Sequence, residues 1–110
     1  MSAENILRFG LTEGVISRIT SVFSDVPEIE QVILYGSRAK GTFRNGSDID
    51  LTIKGDAVTH ACLLQIENRL DDLLLPYTID LSLLHQISNP DLLEHIRRVG
   101  VVFYQRKPVP

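Results

Sequence analysis

Apolar residues recur along this chain in two rhythms, one helical and one of strands. Val15, Ile16, Ile19, Val22 and Phe23 fall at helical spacing behind Thr12, a candidate N-cap, and Leu11 and Ile16 have the spacing of a hydrophobic staple. Pro27 ends that helix. The segment Gln31 to Tyr35 holds the unbroken run Val32-Ile33-Leu34, which predicts a short strand buried on both faces. Gly36-Ser37 predicts a turn into a short helix over Ser37 to Lys40, ending near Gly41. Thr42 to Ser47, with Arg44-Asn45-Gly46-Ser47, has the composition of a loop.

The second half repeats the alternation. Asp48 to Ile53 predicts a strand closed by Gly55. Val58 to about Leu74 predicts the longest helix, with Ala61, Leu64, Leu70 and Leu73 or Leu74 facing the core and Pro76 as its stop. Tyr77 to Leu83 alternates and is rich in strand formers. Asn89-Pro90 opens a last helix with proline at its first position, and Leu92, Leu93, Ile96 and Val99 are expected to point inward. Gly100 reads as the residue after that helix, and Val101 to Tyr104 as a final strand. An α-β-α-β-α-β-α-β order argues for an α/β (α+β) fold, a mixed sheet of four or more strands with flanking helices. One domain over residues 1–105 is expected, with 106–110 as a disordered tail.

Composition narrows the class without naming a chemistry. At 110 residues, with 44% hydrophobic and 23% charged positions, the chain has the make-up of one ordinary globular domain. A net charge of −3 gives no diffuse basic field, so direct nucleic-acid binding is not expected. No apolar run approaches the roughly 20 residues that cross a bilayer. The single cysteine, Cys62, excludes an internal disulfide. The N-terminus lacks the basic and apolar regions of a secretory signal. A cytoplasmic domain away from membranes is the expectation.

The chemistry concentrates in Leu34-Tyr35-Gly36-Ser37-Arg38-Ala39-Lys40-Gly41 and Asp48-Ile49-Asp50-Leu51. A glycine at a strand-to-helix turn lets backbone approach a ligand, and the N–H groups of the following helix favour anions. Alone, Gly36-Ser37 is more often a plain turn with a serine cap. The spacing of Gly36 and Gly41 mimics a Walker A loop, but Thr42-Phe43 stands where its Lys-Ser/Thr pair belongs, and that reading fails. Asp48 and Asp50 at i and i+2 of a strand share a face, about 6.6 Å apart at a rise of about 3.3 Å per residue. Singly, they read as a turn acid and a solvent-facing strand acid. Together, like charges that converge to about 4 Å repel by about 4 kcal/mol at an effective dielectric of 20. A divalent cation, or a proton on one acid, relieves that cost. Asp80 lies between Ile79 and Leu81, an unfavourable place for an unpaired carboxylate. A buried Arg or Lys partner is one account of it; joining the other two acids around metal is the better one. Oxygen donors and a phosphate-bearing substrate favour Mg²⁺ over zinc.

Gly36-Ser37, then Asp48-Ile49-Asp50-Leu51, then Ile79-Asp80-Leu81 resemble the signature of the DNA polymerase β-type nucleotidyltransferase superfamily. The chain's size and its Gly-Ser-Arg-Ala-Lys-Gly-Thr wording resemble the minimal nucleotidyltransferase branch. The resemblance runs from about Gln31 to Leu83. It implies transfer of a nucleoside monophosphate, AMP from ATP, to a hydroxyl with release of pyrophosphate. It also implies two Mg²⁺ ions on Asp48 and Asp50, one on the triphosphate and one activating the acceptor hydroxyl. Asp80 is then the third carboxylate, a metal ligand or the acceptor's proton sink. Ser37, with the Gly36 turn, grips the β- and γ-phosphates, and Arg38, Lys40 and Arg44 are candidate triphosphate contacts. A solvated surface is an equally good account of each of those three cations.

So short a chain spends its sheet on metal and triphosphate and has little left to hold an acceptor. Larger relatives carry an added helical domain for that purpose, and minimal ones pair with a helical HEPN-type protein. In the antitoxin version AMP is placed on a partner tyrosine, which silences an RNase toxin. A hetero-oligomer with such a partner is the expectation. Two alternatives stand: a two-protein enzyme acting on a small hydroxylated molecule, and a non-catalytic nucleotide-binding antitoxin that acts by contact. His60, His85 and His95 lack metal-ligand spacing and read as surface or helix-end residues. Arg97 and Arg98 suit a helix C-terminus, Cys62 reads as a small core residue, and Tyr35 and Tyr104 as packing.

Overall fold

The structure, a computed structural model, describes residues 7–107. Two short strands, β1 (Leu7–Arg8) and β2 (Leu11–Thr12), form a hairpin that the sequence pattern did not announce. Its turn places Phe9 at φ 59 and Gly10 at φ 75, so a phenylalanine occupies a position where Asn or Gly is the usual signal. Helix α1 (Glu13–Ser24) follows, and the Thr12 side chain accepts from Val15 N–H as its N-cap.

Four strands make the main sheet: β3 (Gln31–Tyr35), β4 (Ile49–Lys54), β5 (Ile79–Leu83) and β6 (Val101–Gln105). Their order is β5-β4-β3-β6, with β4 and β5 parallel and both other pairs antiparallel. The parallel pair requires a crossover, supplied by α3 (His60–Asp71). Val32, Leu34, Ile49, Leu51, Ile53, Leu81 and Leu83 are buried on one face, packed with Ile16, Ile19 and Phe23 of α1 and Leu63, Ile66 and Leu70 of α3. Register places Gln31, Ile33 and Tyr35 on the other face, with Asp50, Thr52, Asp80 and Ser82. Helix α4 (Pro90–Val99) lies on that second face, where its Ile96 and the following Gly100 meet Ile33. Helix α2 (Gly36–Lys40) joins β3 to the loop before β4.

Several boundaries differ from the sequence reading. Helix α3 begins two residues later than Val58, because Thr59 caps it through Cys62 N–H, and it ends at Asp71. Its buried face is Leu63, Ile66 and Leu70, while Ala61 and Leu64 are exposed and Leu74 is 88% exposed. On α4 only Ile96 is buried, and Leu93 is exposed. Gly100 has φ −62, so no left-handed cap ends α4. Its small size is needed instead, since a Cβ there would strike the Ile96 carbonyl and sit 2.8 Å from Ile33 Cγ2. The expected tail starts too early. Arg106 N–H donates to Glu30 O, and the Arg106 guanidinium reaches the carbonyls of Ile29 and Val26 at 2.9 and 2.7 Å. Residues 108–110 of that tail lie outside the described residues. Among the described residues, no helix is long and apolar enough to cross a membrane.

Candidate active site

Strand register assembles the centre of the site. Asp50 pairs with Tyr35 on β3 and with Asp80 on β5, so the three stand in one row across the sheet. Side chains of directly paired residues share a face, and this row opens beside the Gly36 turn. Gly36 has φ 74, a conformation that favours glycine. A Cβ on Gly36 would collide with Asp50 Oδ2 and lie 3.2 Å from Asp50 Cγ. The turn therefore brings backbone against the Asp50 carboxylate.

Asp48 lies just before β4 and is exposed; Asp80, on the edge strand β5, is also exposed. The expectation of an Asp80 embedded among apolar side chains is thus corrected. Its neighbours Ile79 and Leu81 turn to the opposite face, and the edge position gives its own face to water. Partial burial pushes the Asp50 carboxyl above its ordinary range. The Asp80 and Asp48 carboxylates push it further, and His95 opposes them. Below the acids, Ser82 Oγ donates to Thr52 Oγ1 at 2.9 Å. Burial pushes the Tyr35 phenol up; the adjacent Ser82 hydroxyl opposes this, and Asp80 and Asp50 add to the rise.

The cations divide. Lys40 and Arg44 are exposed, at the end of α2 and in the loop after it. Arg38, expected at the triphosphate, is instead buried, with only 3% of its surface exposed. Its Nη1 donates to Phe9 O at 2.8 Å, and its Nε and Nη2 donate to Ser47 O at 3.2 and 2.9 Å. The guanidinium carbon also lies 5.2 and 5.0 Å from the ring centroids of Phe43 and Tyr77. Arg38 ties the β1–β2 hairpin to the loop before β4. Its role is to shape that loop, because the groups that would bind phosphate are engaged with carbonyls.

His95, expected as a surface or helix-end residue, lies at the site. Its Nε2 accepts the Gly36 N–H at 3.2 Å, and its ring stands edge-on to Tyr35. Adjacency to the core residue Ile96 was the one available signal, and no periodicity links α4 to a turn 59 residues earlier.

Among the described residues, no three His, Cys, Asp or Glu side chains form a ready metal cage. The donor set nonetheless fits a hard divalent cation. The donors are carboxylate oxygens: Asp50 and Asp80 stand in register, and the Asp80 and Asp48 charges add to the rise that burial gives the Asp50 carboxyl.

A family model described as polymerase beta, nucleotidyltransferase, matches residues 17–109. No curated protein sequence matches. Among solved structures, a chain from a toxin–antitoxin crystal structure with AMP-PNP has a TM-score of 0.67 at 20% identity, covering 84% of this chain and 74% of that one. A chain from a complex of tri-AMPylated Shewanella oneidensis HEPN toxin with MNT antitoxin has a TM-score of 0.63 at 17% identity, covering 86% and 72%. A chain from the toxin–antitoxin MntA–HepT has a TM-score of 0.64 at 16% identity, covering 86% and 74%. At these identities the likeness is one of fold.

Proposed function

The chain belongs to the polymerase β nucleotidyltransferase family, and from that premise we propose that it moves AMP from ATP to a tyrosine hydroxyl of a helical, HEPN-type partner protein. The observation that carries the reading is the placement of Asp50 in register with Asp80 and against the Gly36 turn. That arrangement puts converging negative charge beside a close-approach backbone site, which suits a phosphate-bearing substrate held through cations.

In the reaction, the acceptor oxygen bonds to the α-phosphorus and the bond from that phosphorus to pyrophosphate breaks. Asp48, Asp50 and Asp80 would hold two Mg²⁺ ions, which supply charge neutralisation and a more acidic acceptor hydroxyl. Ser37 donates to the β- and γ-phosphates from the turn that Gly36 permits. Asp80, exposed and at the edge nearest solvent, takes the acceptor's proton. Lys40 and Arg44 meet the triphosphate as exposed cations, and Arg38 keeps the loop that carries Arg44 in shape. The structures of similar fold include a toxin–antitoxin with AMP-PNP and a tri-AMPylated HEPN toxin bound to an MNT antitoxin. Those support ATP as donor and such a partner as recipient.

Incubation with α-labelled ATP and Mg²⁺, with and without the helical partner, tests the assignment. Label on the partner, lost in Asp48→Asn, is expected. A labelled small product that needs both proteins would move the recipient to a hydroxylated metabolite. Neutralisation of the partner by Asp48→Asn, with no label, would make the chain a contact inhibitor.

A further inference from the structure

We propose that His95 is a positioning residue for the Gly36-Ser37 turn, holding that turn from α4 through an acceptor bond to the Gly36 N–H. The inference rests on the nucleotide-site reading above and adds a residue to it. Glycine at φ 74 has no side chain to keep it there, and it reaches other backbone regions readily. Something outside the turn must select the conformation. On one side the Asp50 carboxylate fills the space where a Cβ would sit. From the other, His95 Nε2 takes the Gly36 N–H at 3.2 Å. Gly36 is clamped between β4 and α4.

The ring is held for this task. The bond uses Nε2 as acceptor and therefore requires the tautomer with its ring proton on Nδ1. Tyr35 packs edge-on against the imidazole, with centroids 6.2 Å apart and planes at 81°. Tyr35 immediately precedes Gly36 and is itself in register with Asp50. One histidine thus meets the residue before the turn through a T-shaped ring pair and the turn itself by a hydrogen bond. His95 makes no contact with substrate in this account. It sets where Ser37 stands.

Two variants of similar length separate the acceptor from the packing: His95→Gln retains an oxygen acceptor, and His95→Met fills the space against Tyr35 with only a weak one. In the full-length chain, His95→Met is expected to speed amide exchange of Gly36 and to raise the Kd for Mg²⁺·AMP-PNP about three- to tenfold, the range one neutral hydrogen bond supports. His95→Gln is expected to restore both toward wild type. A merely structural role would lower melting temperature in both variants without separating their Kd values, and that result overturns the proposal. Equal Gly36 exchange in wild type and His95→Met overturns it as well, whatever the nucleotide does. Wild-type protein that fails to bind Mg²⁺·AMP-PNP would instead contradict the nucleotide-site reading itself.

Discussion

Asp50 is the centre of the proposed chemistry, and its environment makes a signed prediction. Folding raises its pKa through partial burial and the charges of Asp80 and Asp48. The native state therefore binds that proton more tightly than the unfolded chain does. The stability it contributes is fully present below the unfolded value, about 4, and is lost as pH rises through the raised native value. Metal-free Asp50→Asn is expected to lose that portion of the pH dependence. It should unfold at a higher temperature than wild type near neutral pH, by less than about 1 kcal/mol because water reaches the carboxylate. Melting curves of both proteins from about pH 4 to 8 check this; parallel profiles would contradict the charge cluster. Arg38 makes the opposite kind of prediction. Arg38→Met removes donors to the Phe9 and Ser47 carbonyls and is expected to cost about 2–4 kcal/mol in urea unfolding. An unchanged midpoint would show the guanidinium to be dispensable to the fold. The sequence could offer Arg38 only as a cation near a phosphate motif. Its aromatic and carbonyl partners, Phe9, Phe43, Ser47 and Tyr77, come from three separate segments.

At the scale of elements, β3, β4 and β5 were legible because each announces itself locally. Val32-Ile33-Leu34 is a continuous apolar run, and Ile49, Leu51 and Ile53 alternate with the polar face that carries Asp50 and Thr52. Pairing was not legible, and pairing is what puts Asp80 beside Asp50. Helix α3 shows the limit of composition. Leucines at 70, 73, 74 and 75 extend the apparent stripe, yet the helix ends at Asp71 and Leu74 turns to φ 54 with its side chain in water. The α4–β6 junction gives a test at this scale. Gly100 sits at an ordinary φ, so alanine there brings no backbone strain; its methyl would press on Ile96 O and Ile33. Gly100→Ala is expected to cost about 1–3 kcal/mol by overpacking, measured by chemical denaturation. A neutral effect would mean that α4 shifts freely on the sheet, which the His95–Gly36 bond argues against.

Across the whole molecule, one face of the sheet is the core and the other is shared between α4 and the acids. The β5 edge leaves the site open to solvent beside Asp80, which suits an acceptor presented by a second protein. Ligand linkage reports on the site without any acceptor. Mg²⁺ with ATP at a hundredfold excess over Kd is expected to stabilise the fold by about 2.7 kcal/mol, read as a rise in melting temperature. No shift with any nucleoside triphosphate at saturating Mg²⁺ would count against the whole site. The most direct test of the central claim is pyrophosphate release from ATP in the presence of Mg²⁺ and the helical partner, comparing wild type with Asp50→Asn. Release that requires Mg²⁺ and falls at least about 100-fold in the folded Asp50→Asn variant is the predicted result. Release at the wild-type rate from Asp50→Asn, or none from the wild type with its partner, would contradict the assignment of nucleotidyl transfer to these acids.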